Sequence, residues 1–158
     1  MRTYFDEIAE GYEELYKEEQ LKKLRIIKDN LRIAPEDLML DVGCGPGFVA
    51  EVFDCRIIGL DPSEELLKKC SFETIRCEAE DIPFPDNHFD VVISVTSIHN
   101  FDNYKTGLLE IKRVGKDRFA FTVLKNSKKF NDIKDFIEKN FSVKKTIDEK
   151  IDLILICA

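Results

Sequence analysis

Three glycines at alternate positions form the part of this sequence whose residue types and spacing are best suited to chemistry. They lie in residues 43–47, directly after the apolar run of residues 38–42, which predicts a buried strand. Glycine adopts positive φ angles and lacks a Cβ atom, so a ligand can lie directly against such a backbone. A helix is predicted next, at residues 48–53, and its unpaired N–H groups would face a hydrogen-bond acceptor. We therefore expect a ligand-binding loop between this strand and this helix.

An acidic residue at the end of the next predicted strand narrows the class of ligand. Apolar residues 56–60 end in Asp61, roughly 20 residues beyond the first strand, where a carboxylate can accept hydrogen bonds from both hydroxyls of a ribose. The glycine loop alone is a weak signal, because tight turns between strands and helices also use glycine. The loop and Asp61 together predict a ligand that contains a nucleoside.

The residues around the loop distinguish two kinds of nucleoside ligand. A dinucleotide fingerprint requires glycine at its first, third and sixth positions, and here the sixth position is Phe48. Asp41 precedes the loop, and its negative charge disfavours a pyrophosphate such as that of NAD. The same charge suits S-adenosylmethionine (SAM), which carries an ammonium and a sulfonium group. The electrostatics therefore favour SAM.

Three motifs of this chain, in this order, resemble those of the class I SAM-dependent methyltransferases. They are LDVGCGPG at the glycine loop, GLDPS at the second strand and EAEDIPFPDNHFDVVISVTSIHNF further on, and the likeness covers about residues 36–125. Three linked motifs are far more specific than one glycine loop. The resemblance implies an enzyme that transfers a methyl group from SAM and releases S-adenosyl-L-homocysteine.

The resemblance also assigns cofactor-binding residues. In the family, the glycine loop packs under the methionine part of SAM, and the acid before it contacts or organises the amino-acid end. The acid after the second strand binds the ribose, and later positions recognise the adenine or border the reactive centre. The matching residues here are Asp41, Gly43, Cys44, Gly45, Gly47, Asp61, Pro62, Glu78, Ala79, Ser94 and Val95. The adenine assignment departs from the family's pattern, because Cys77 replaces a glycine and Glu78 replaces an aspartate.

An aromatic segment near the start of the chain has two interpretations. The sequence YFDEIAEGYEELY is similar to the leader that covers SAM in many relatives, which makes Tyr12 a candidate cofactor-binding residue, together with Tyr16. The same helical spacing of aromatic residues is typical of core packing. Both interpretations stay open at this point.

One histidine is a candidate for catalysis. Methyl transfer from a sulfonium requires an acceptor held in line and water excluded, so neither a protein nucleophile nor a metal is predicted. His88 lies in a polar turn, whereas His99 follows the fourth predicted strand, where relatives often carry histidines near the acceptor. We expect His99 to act as a base or, alternatively, to be a hydrogen-bonded wall residue. Methyltransferases that act on base or glutamine amide nitrogens often carry Asn/Asp-Pro-Pro-Tyr/Phe after the fourth strand. Residues 94–97 contain no proline pair, so the resemblance disfavours exocyclic amino groups as acceptors.

Strands that alternate with helices predict the fold class. Apolar patterns predict five strands at residues 38–42, 56–60, 72–77, 89–95 and 118–124, and a closing pair at 142–148 and 152–157. We therefore expect an α/β fold, a Rossmann-like doubly wound sheet of five parallel strands plus a C-terminal antiparallel hairpin. The resemblance implies seven strands in the order 3-2-1-4-5-7-6. We predict a single domain over residues 1–158, with N-terminal helices as a cap at 1–34 and an α/β core at 36–158.

The composition bounds the compartment and the partners. The 158 residues carry a net charge of −7, so direct nucleic-acid binding is not expected without a partner. The chain shows neither a signal peptide nor an apolar run long enough to span a bilayer. Five scattered cysteines form neither a disulfide framework nor a zinc pattern. These features predict a cytoplasmic protein with no membrane contact and no metal.

Several functions stay open at this stage. The leading one is a SAM-dependent enzyme that methylates a small molecule, or a macromolecule presented by a partner. A variant is a tRNA, rRNA or protein methyltransferase subunit that needs a small activator protein, since little is inserted between the strands to form a lid; a homodimer is a further candidate. The alternatives are a non-catalytic SAM-binding regulatory module and a nucleotide-dependent oxidoreductase, the latter opposed by Phe48 and Asp41. The fold class alone cannot identify the acceptor.

Overall fold

The computed structural model describes the backbone of residues 4–158 and the side chains of residues 13–158. The helices are α1 Tyr4–Asn30, α2 Glu64–Leu67, α3 Tyr104–Val114 and α4 Phe130–Asn140. The strands are β1 Leu38–Val42, β2 Arg56–Asp61, β3 Glu73–Arg76, β4 Phe89–Val95, β5 Gly115–Leu124, β6 Val143–Asp148 and β7 Asp152–Cys157. Short 3-10 helices lie at Phe48–Glu51 and Ile98–Asn100.

The strands form one mixed sheet with the predicted topology. Their order is β3-β2-β1-β4-β5-β7-β6, with β1 to β5 parallel and β7 antiparallel to both β5 and β6. The predicted fold class, a doubly wound sheet with a C-terminal antiparallel hairpin, is therefore confirmed. In the parallel register Asp41 lies level with Gly59 and Ile93, so the carboxyl ends of β1, β2 and β4 meet at one edge.

Apolar side chains fill both faces of the sheet. On one face α3 and α4 bury Leu108 and Ile133 completely, and on the other α1 buries Ile27 against Met39. A parallel sheet covered on both faces requires strands with continuous apolar runs, which is the pattern that predicted them. The two helical layers leave the carboxyl edge of the central strands free for a site.

The N-terminal helices predicted as a cap at residues 1–34 are a single helix, α1, of 27 residues, because no proline interrupts the chain between Tyr4 and Asn30. Its second half packs on the sheet through Leu21, Leu24 and Ile27. Charged residues recur along the rest of its surface. Among the described residues, no helix combines the length and the apolar character needed to cross a lipid bilayer.

The prediction of a helix at residues 48–53, after the glycine loop, is wrong. Phe48–Glu51 forms only one 3-10 turn, preceded by Gly47 in the left-handed conformation. Only residues 48–55 separate the loop from β2, which leaves too little chain for an α-helix and its return connection. The expected row of α-helical N–H groups facing a ligand is therefore absent from this described segment. The ligand-facing groups must come from the loop itself and from neighbouring strand ends.

Candidate functional site

A cavity of about 690 Å³ opens at the carboxyl ends of β1, β2 and β4. Its wall is formed by the glycine loop, by the residues that follow β2, β3 and β4, and by one face of α1. Ligands of open α/β sheets bind at this edge, and small-molecule sites typically have volumes of about 300–1,000 Å³. The cavity is therefore the candidate functional site.

The glycine loop forms the floor of the cavity in a conformation that favours glycine. Gly43, Gly45 and Gly47 have φ angles of +78°, +54° and +88°. A Cβ atom on Gly43 would lie 2.4 Å from the Oγ atom of Ser97, whereas a Cβ atom on Gly45 would meet nothing within 4 Å. Gly43 is thus required for close packing against the turn after β4, and Gly45 keeps open the space that a ligand would fill.

Asp61 is oriented by two backbone amides. Its Oδ2 atom accepts a hydrogen bond from the N–H of Gly45 at 3.0 Å, and its Oδ1 atom accepts one from Ser63 at 2.9 Å. Only 8% of the residue is exposed, yet it lines the cavity. Each carboxylate oxygen keeps further acceptor capacity. The geometry therefore presents a fixed carboxylate that can accept two hydroxyl groups, as the predicted ribose role requires.

Asp41 lies behind the glycine loop, where it does not line the main cavity. It borders a smaller adjoining space of about 40 Å³ together with Tyr16, Gln20 and Cys44. Burial, reinforced by the nearby negative charge of Asp61, raises the pKa of Asp41 to about 7. A cation placed near the loop would stabilise the ionised form. Asp41 is thus positioned to respond to a positive ligand group near the loop.

The other predicted cofactor residues divide into two sets. Pro62, Glu78 and Ala79 line the cavity. Cys44, Gly47, Ser94 and Val95 lie in or behind the wall and do not line the main cavity. Ser94 is completely buried, and its Oγ atom donates to the carbonyl of Val42 at 2.9 Å. This contact joins β4 to β1, so the geometry gives Ser94 a supporting position below the site.

Cys44 and Gly47 contribute to packing under the loop. The Cys44 thiol lies next to Gly59, where an added Cβ atom would come within 2.7 Å of its sulfur. Burial raises the pKa of the Cys44 thiol far above its usual range. An added Cβ atom on Gly47 would meet Cys70 at 2.9 Å. Both residues therefore hold the loop against β2 and the segment after α2.

His99 stands apart from the cavity wall. It is half-buried in the 3-10 turn after β4, and its neighbours Ser97, Asn100 and Phe101 line the cavity while His99 does not. Burial lowers the pKa of His99, an effect opposed by the negative charge of Asp152 and reinforced by Lys129 and Lys23. Burial therefore favours the uncharged form of the ring. Its predicted catalytic role stays a prediction, and Tyr12 lies outside the residues whose side chains are described.

Residues of α1 that were not predicted, or were left open, form one wall of the cavity. Glu13, Glu14, Tyr16 and Lys17 line it. The Nζ atom of Lys17 lies 3.1 Å from Glu51 and 5.7 Å from the ring centroid of Phe48, beside the exit of the glycine loop. Glu13 faces Lys69 across the opening at 3.8 Å. The aromatic leader segment was the only sequence signal for this wall, and no local pattern specifies where a distant helix docks.

The turn after β4 supplies another part of the wall. Thr96, Ser97, Asn100 and Phe101 line the cavity there. Ser97 donates through its Oγ atom to the carbonyl of Gly43 at 3.2 Å, which joins this turn to the glycine loop. The position of β4 next to β1 was the signal that could have identified these residues, because both strands end at the same edge.

Comparison with known families distinguishes between the possible nucleoside-binding proteins. Residues 40–122 contain the glycine loop, Asp61 and the end of β4, and they match the family model described as a methyltransferase domain. The chain belongs to this methyltransferase family. The predicted membership of the class I SAM-dependent methyltransferases is thereby confirmed.

Curated relatives extend the match beyond the family model. This methyltransferase is 35% identical over 132 residues to the uncharacterized protein MJ1252 of Methanocaldococcus jannaschii, covering 78% of this chain and 51% of that protein. It is 33% identical over 152 residues to a demethylmenaquinone methyltransferase of Symbiobacterium thermophilum, covering 83% and 61% respectively. The chain therefore spans about half the length of the curated relatives it matches.

One solved structure shares the fold of this methyltransferase over its whole length. A chain from the complex between the Haloferax volcanii Trm112 methyltransferase activator and a methyltransferase superposes with a TM-score of 0.78. The alignment covers 100% of this chain and 98% of that chain, at 16% sequence identity. At that level of identity the match establishes a common fold.

Proposed function

We propose that this methyltransferase binds SAM in the cavity described above and transfers its methyl group to a small acceptor that enters on the side of the turn after β4. The observation that carries the proposal is the fixed carboxylate of Asp61, which is hydrogen-bonded to the Gly45 amide at the point where the loop backbone lies open. This arrangement supports a nucleoside held against the loop. When bound, SAM supplies an activated methyl group.

The residues of the cavity fit the chemistry of SAM. Asp61 is the proposed acceptor for the ribose hydroxyls, while Pro62, Glu78 and Ala79 would surround the adenine. Gly43, Cys44, Gly45 and Gly47 supply the loop under the methionine part, with Ser94 as support. Asp41 offers negative charge to the ammonium group, and Lys17 offers positive charge to the carboxylate. These assignments place opposite charges at the two ends of the amino-acid group.

The protein's contribution to the reaction is positioning and exclusion of water. The contact of Ser97 with Gly43 and the residues of α1 that line the cavity make a half-enclosed site in which an acceptor can be held in line. Such positioning supplies effective molarities on the order of 10⁵ M or more. In this proposal His99 takes a proton from the acceptor through a water, because His99 does not itself line the cavity. Burial lowers the pKa of His99 and so favours the uncharged ring that such a base requires.

A second candidate is a methyltransferase subunit that needs an activator protein. It is favoured by one observation, the full-length fold match to a chain from the Trm112 activator complex. In that case the acceptor is a tRNA, rRNA or protein, and the activator presents it to a chain of net charge −7 that repels phosphate on its own.

In either case, we propose that residues 1–158 act as one domain in the cytoplasm, where the five cysteines stay reduced.

The proposal is tested by binding and transfer measured separately. Isothermal calorimetry with SAM, S-adenosylhomocysteine and NAD tests the cofactor, and binding of NAD in preference to SAM would overturn the proposal. Labelled SAM and fractionated extract then reveal which fraction gains the label. SAM binding without any S-adenosylhomocysteine formation would instead support a non-catalytic regulatory module. Label that enters only a macromolecular fraction, and only after an activator protein is added, would support the subunit model.

A further inference from the structure

A buried ion pair lies directly behind the wall of the cavity. The Nζ atom of Lys23, on α1, is 3.2 Å from the Oδ2 atom of Asp152, on β7, and the two side chains are 1% and 0% exposed. Two threonines complete what we call the Lys23–Asp152 cluster, defined as Lys23, Thr96, Thr122 and Asp152. Its members come from α1, the turn after β4, β5 and β7. The cluster therefore joins four elements below the site.

The hydrogen bonds of the cluster converge on Thr96, which lines the cavity. Its Oγ1 atom donates to Asp152 at 2.7 Å and accepts from Lys23 at 3.0 Å. Its backbone N–H donates to the Oγ1 atom of Thr122 at 2.8 Å, and Thr122 in turn donates to the same carboxylate oxygen at 2.8 Å. Thr96 is thus held by side chain and backbone at once.

Thr96 has a backbone conformation that needs such support. Its φ angle is +52°, in the left-handed region that β-branched residues rarely adopt. Ser97, the next residue, donates to the carbonyl of Gly43 and lines the cavity with Thr96. The cluster therefore fixes the unusual turn that carries this part of the cavity wall.

The same cluster also fixes α1, which forms one wall of the cavity. Lys23 lies seven residues after Tyr16, so both residues are on one face of α1, and Tyr16 lines the cavity. Gln20, between them, approaches Thr96 at 3.5 Å. The contacts of Lys23 therefore fix the position of α1 relative to the glycine loop.

Stability alone is a poor explanation for this cluster. A buried ion pair often contributes no more to folding than apolar residues of equal volume, because desolvation offsets the attraction. The Oδ1 atom of Asp152 is buried without any hydrogen-bond partner among the described residues, which is a further cost. What an apolar pair would not supply is the set of directed hydrogen bonds to Thr96.

We propose that Lys23 and Asp152 are positioning residues that hold the turn at Thr96–Ser97 and the helix α1 in the arrangement that binds SAM. This inference rests on the proposed function, because it assigns SAM to the cavity. Neither Lys23 nor Asp152 lines the cavity, so both act through Thr96 and through α1.

The test uses four variants of the full chain and one matched control. Lys23→Met and Asp152→Asn each break the pair, their double variant removes both charges, and Thr122→Val removes one uncharged hydroxyl outside the cavity. Lys28→Met is the control, because Lys28 lies on the same helix and donates to the carbonyl of Val52 at 3.0 Å, away from the cavity. The dissociation constant (Kd) of SAM is measured by calorimetry, and hydrogen exchange of α1 is measured without SAM.

We expect each single charge variant to raise the Kd of SAM at least tenfold and to speed exchange of residues 13–20, and Thr122→Val to raise the Kd about threefold. The double variant is expected to recover the thermal midpoint, while its Kd stays at least fivefold above that of the wild type. Recovery of stability without recovery of affinity separates positioning from a purely structural role. Lys28→Met should change the Kd less than twofold.

The inference fails if the double variant and Thr122→Val bind SAM with the affinity of the wild type and show unchanged exchange in α1. These two variants leave no unpaired buried charge, so they decide the question even if the single charge variants do not fold. Wild-type protein that ignores SAM would overturn the proposed function itself. Wild-type protein that binds SAM alongside unaffected variants would overturn only the role of Lys23 and Asp152.

Discussion

The carboxylate of Asp61 accepts a hydrogen bond from the backbone amide of Gly45, with 3.0 Å between Oδ2 and N. The bond crosses from the end of β2 to the glycine loop after β1, the two features that the sequence motifs mark separately. It fixes the carboxylate at the edge of the cavity before any ligand arrives. The binding of a ligand to this carboxylate therefore carries only a small entropy cost for ordering the side chain of Asp61.

Asp61→Asn is expected to weaken SAM binding at least tenfold, equivalent to about 1.4 kcal/mol. The substitution keeps the shape but replaces one acceptor oxygen with an amide nitrogen that cannot accept from Gly45 or from a ribose hydroxyl. Calorimetry with SAM measures the change. Asp54→Asn, at an exposed aspartate outside the cavity, serves as the control and should leave the Kd unaltered. Equal Kd values for both variants would contradict the ribose assignment.

Two glycines of the same loop are expected to respond differently to alanine. Gly43→Ala places a methyl group against the Oγ and Cβ atoms of Ser97 at a positive φ angle, and should lower the free energy of unfolding by about 2–4 kcal/mol. Gly45→Ala meets open space and should cost only about 1–2 kcal/mol of backbone strain. Its methyl group would instead occupy the cavity and lower SAM affinity at least tenfold.

Urea denaturation and calorimetry on this pair of variants separate folding from binding. If Gly45→Ala bound SAM as tightly as the wild type, the ligand would not lie against the loop, and the proposed site would need to move.

The stability of the protein should depend on pH through Asp41. Its carboxyl group titrates near 3.8 in the unfolded chain and at about 7 in the folded protein, so folding takes up a proton between these values. The free energy of unfolding therefore decreases as the pH rises from about 4 to about 7, because the folded protein favours the protonated carboxyl group. Above about pH 7 this contribution no longer changes. Asp41→Asn should remove this loss and raise the free energy of unfolding at pH 8 by an amount on the order of 2 kcal/mol.

Urea denaturation at pH 5 and pH 8 checks the Asp41 prediction. A stability difference between wild type and Asp41→Asn that is the same at both pH values would show that Asp41 keeps an ordinary pKa. Calorimetry provides the functional counterpart, because a cationic ligand near an ionised Asp41 should release a proton on binding at pH 6.5 in the wild type and none in the variant.

His99→Ala is expected to cut methyl transfer at least tenfold while changing the Kd of SAM less than twofold. The reason for the split is that His99 does not line the cavity and would act on the acceptor and not on the cofactor. Transfer of label from saturating SAM into extract measures the first quantity, and calorimetry measures the second. Normal transfer combined with weaker SAM binding would remove the catalytic role and leave His99 as a supporting residue of its turn.

Much of the fold was predictable because its signals are local. The bounds predicted for β1, β4 and β7 agree with the structure, since each strand is an apolar run bordered by turn residues. The C-terminal hairpin followed from the apolar pattern of the last two strands, and the strand order followed from the resemblance. The glycine loop and Asp61 were also predictable, because a tight turn and a terminal acid leave their mark in neighbouring residues.

The helix predicted at residues 48–53 shows where local patterns fail. The apolar spacing there fits a helix, but the short connection to β2 allows only a 3-10 turn. Chain length between two paired strands, a tertiary constraint, overrode the helical pattern.

By itself, the sequence determined the strands, the loop with its acid and the family to which they belong, because each depends on residues that are close along the chain. Only the tertiary structure decided which residues complete the site. It brought Lys23, Thr96 and Asp152 together from distant segments and set α1 over the cavity. Such contacts depend on how all the elements pack together. The residues next to a lysine or an aspartate in the sequence do not indicate that it is buried or which residue it pairs with.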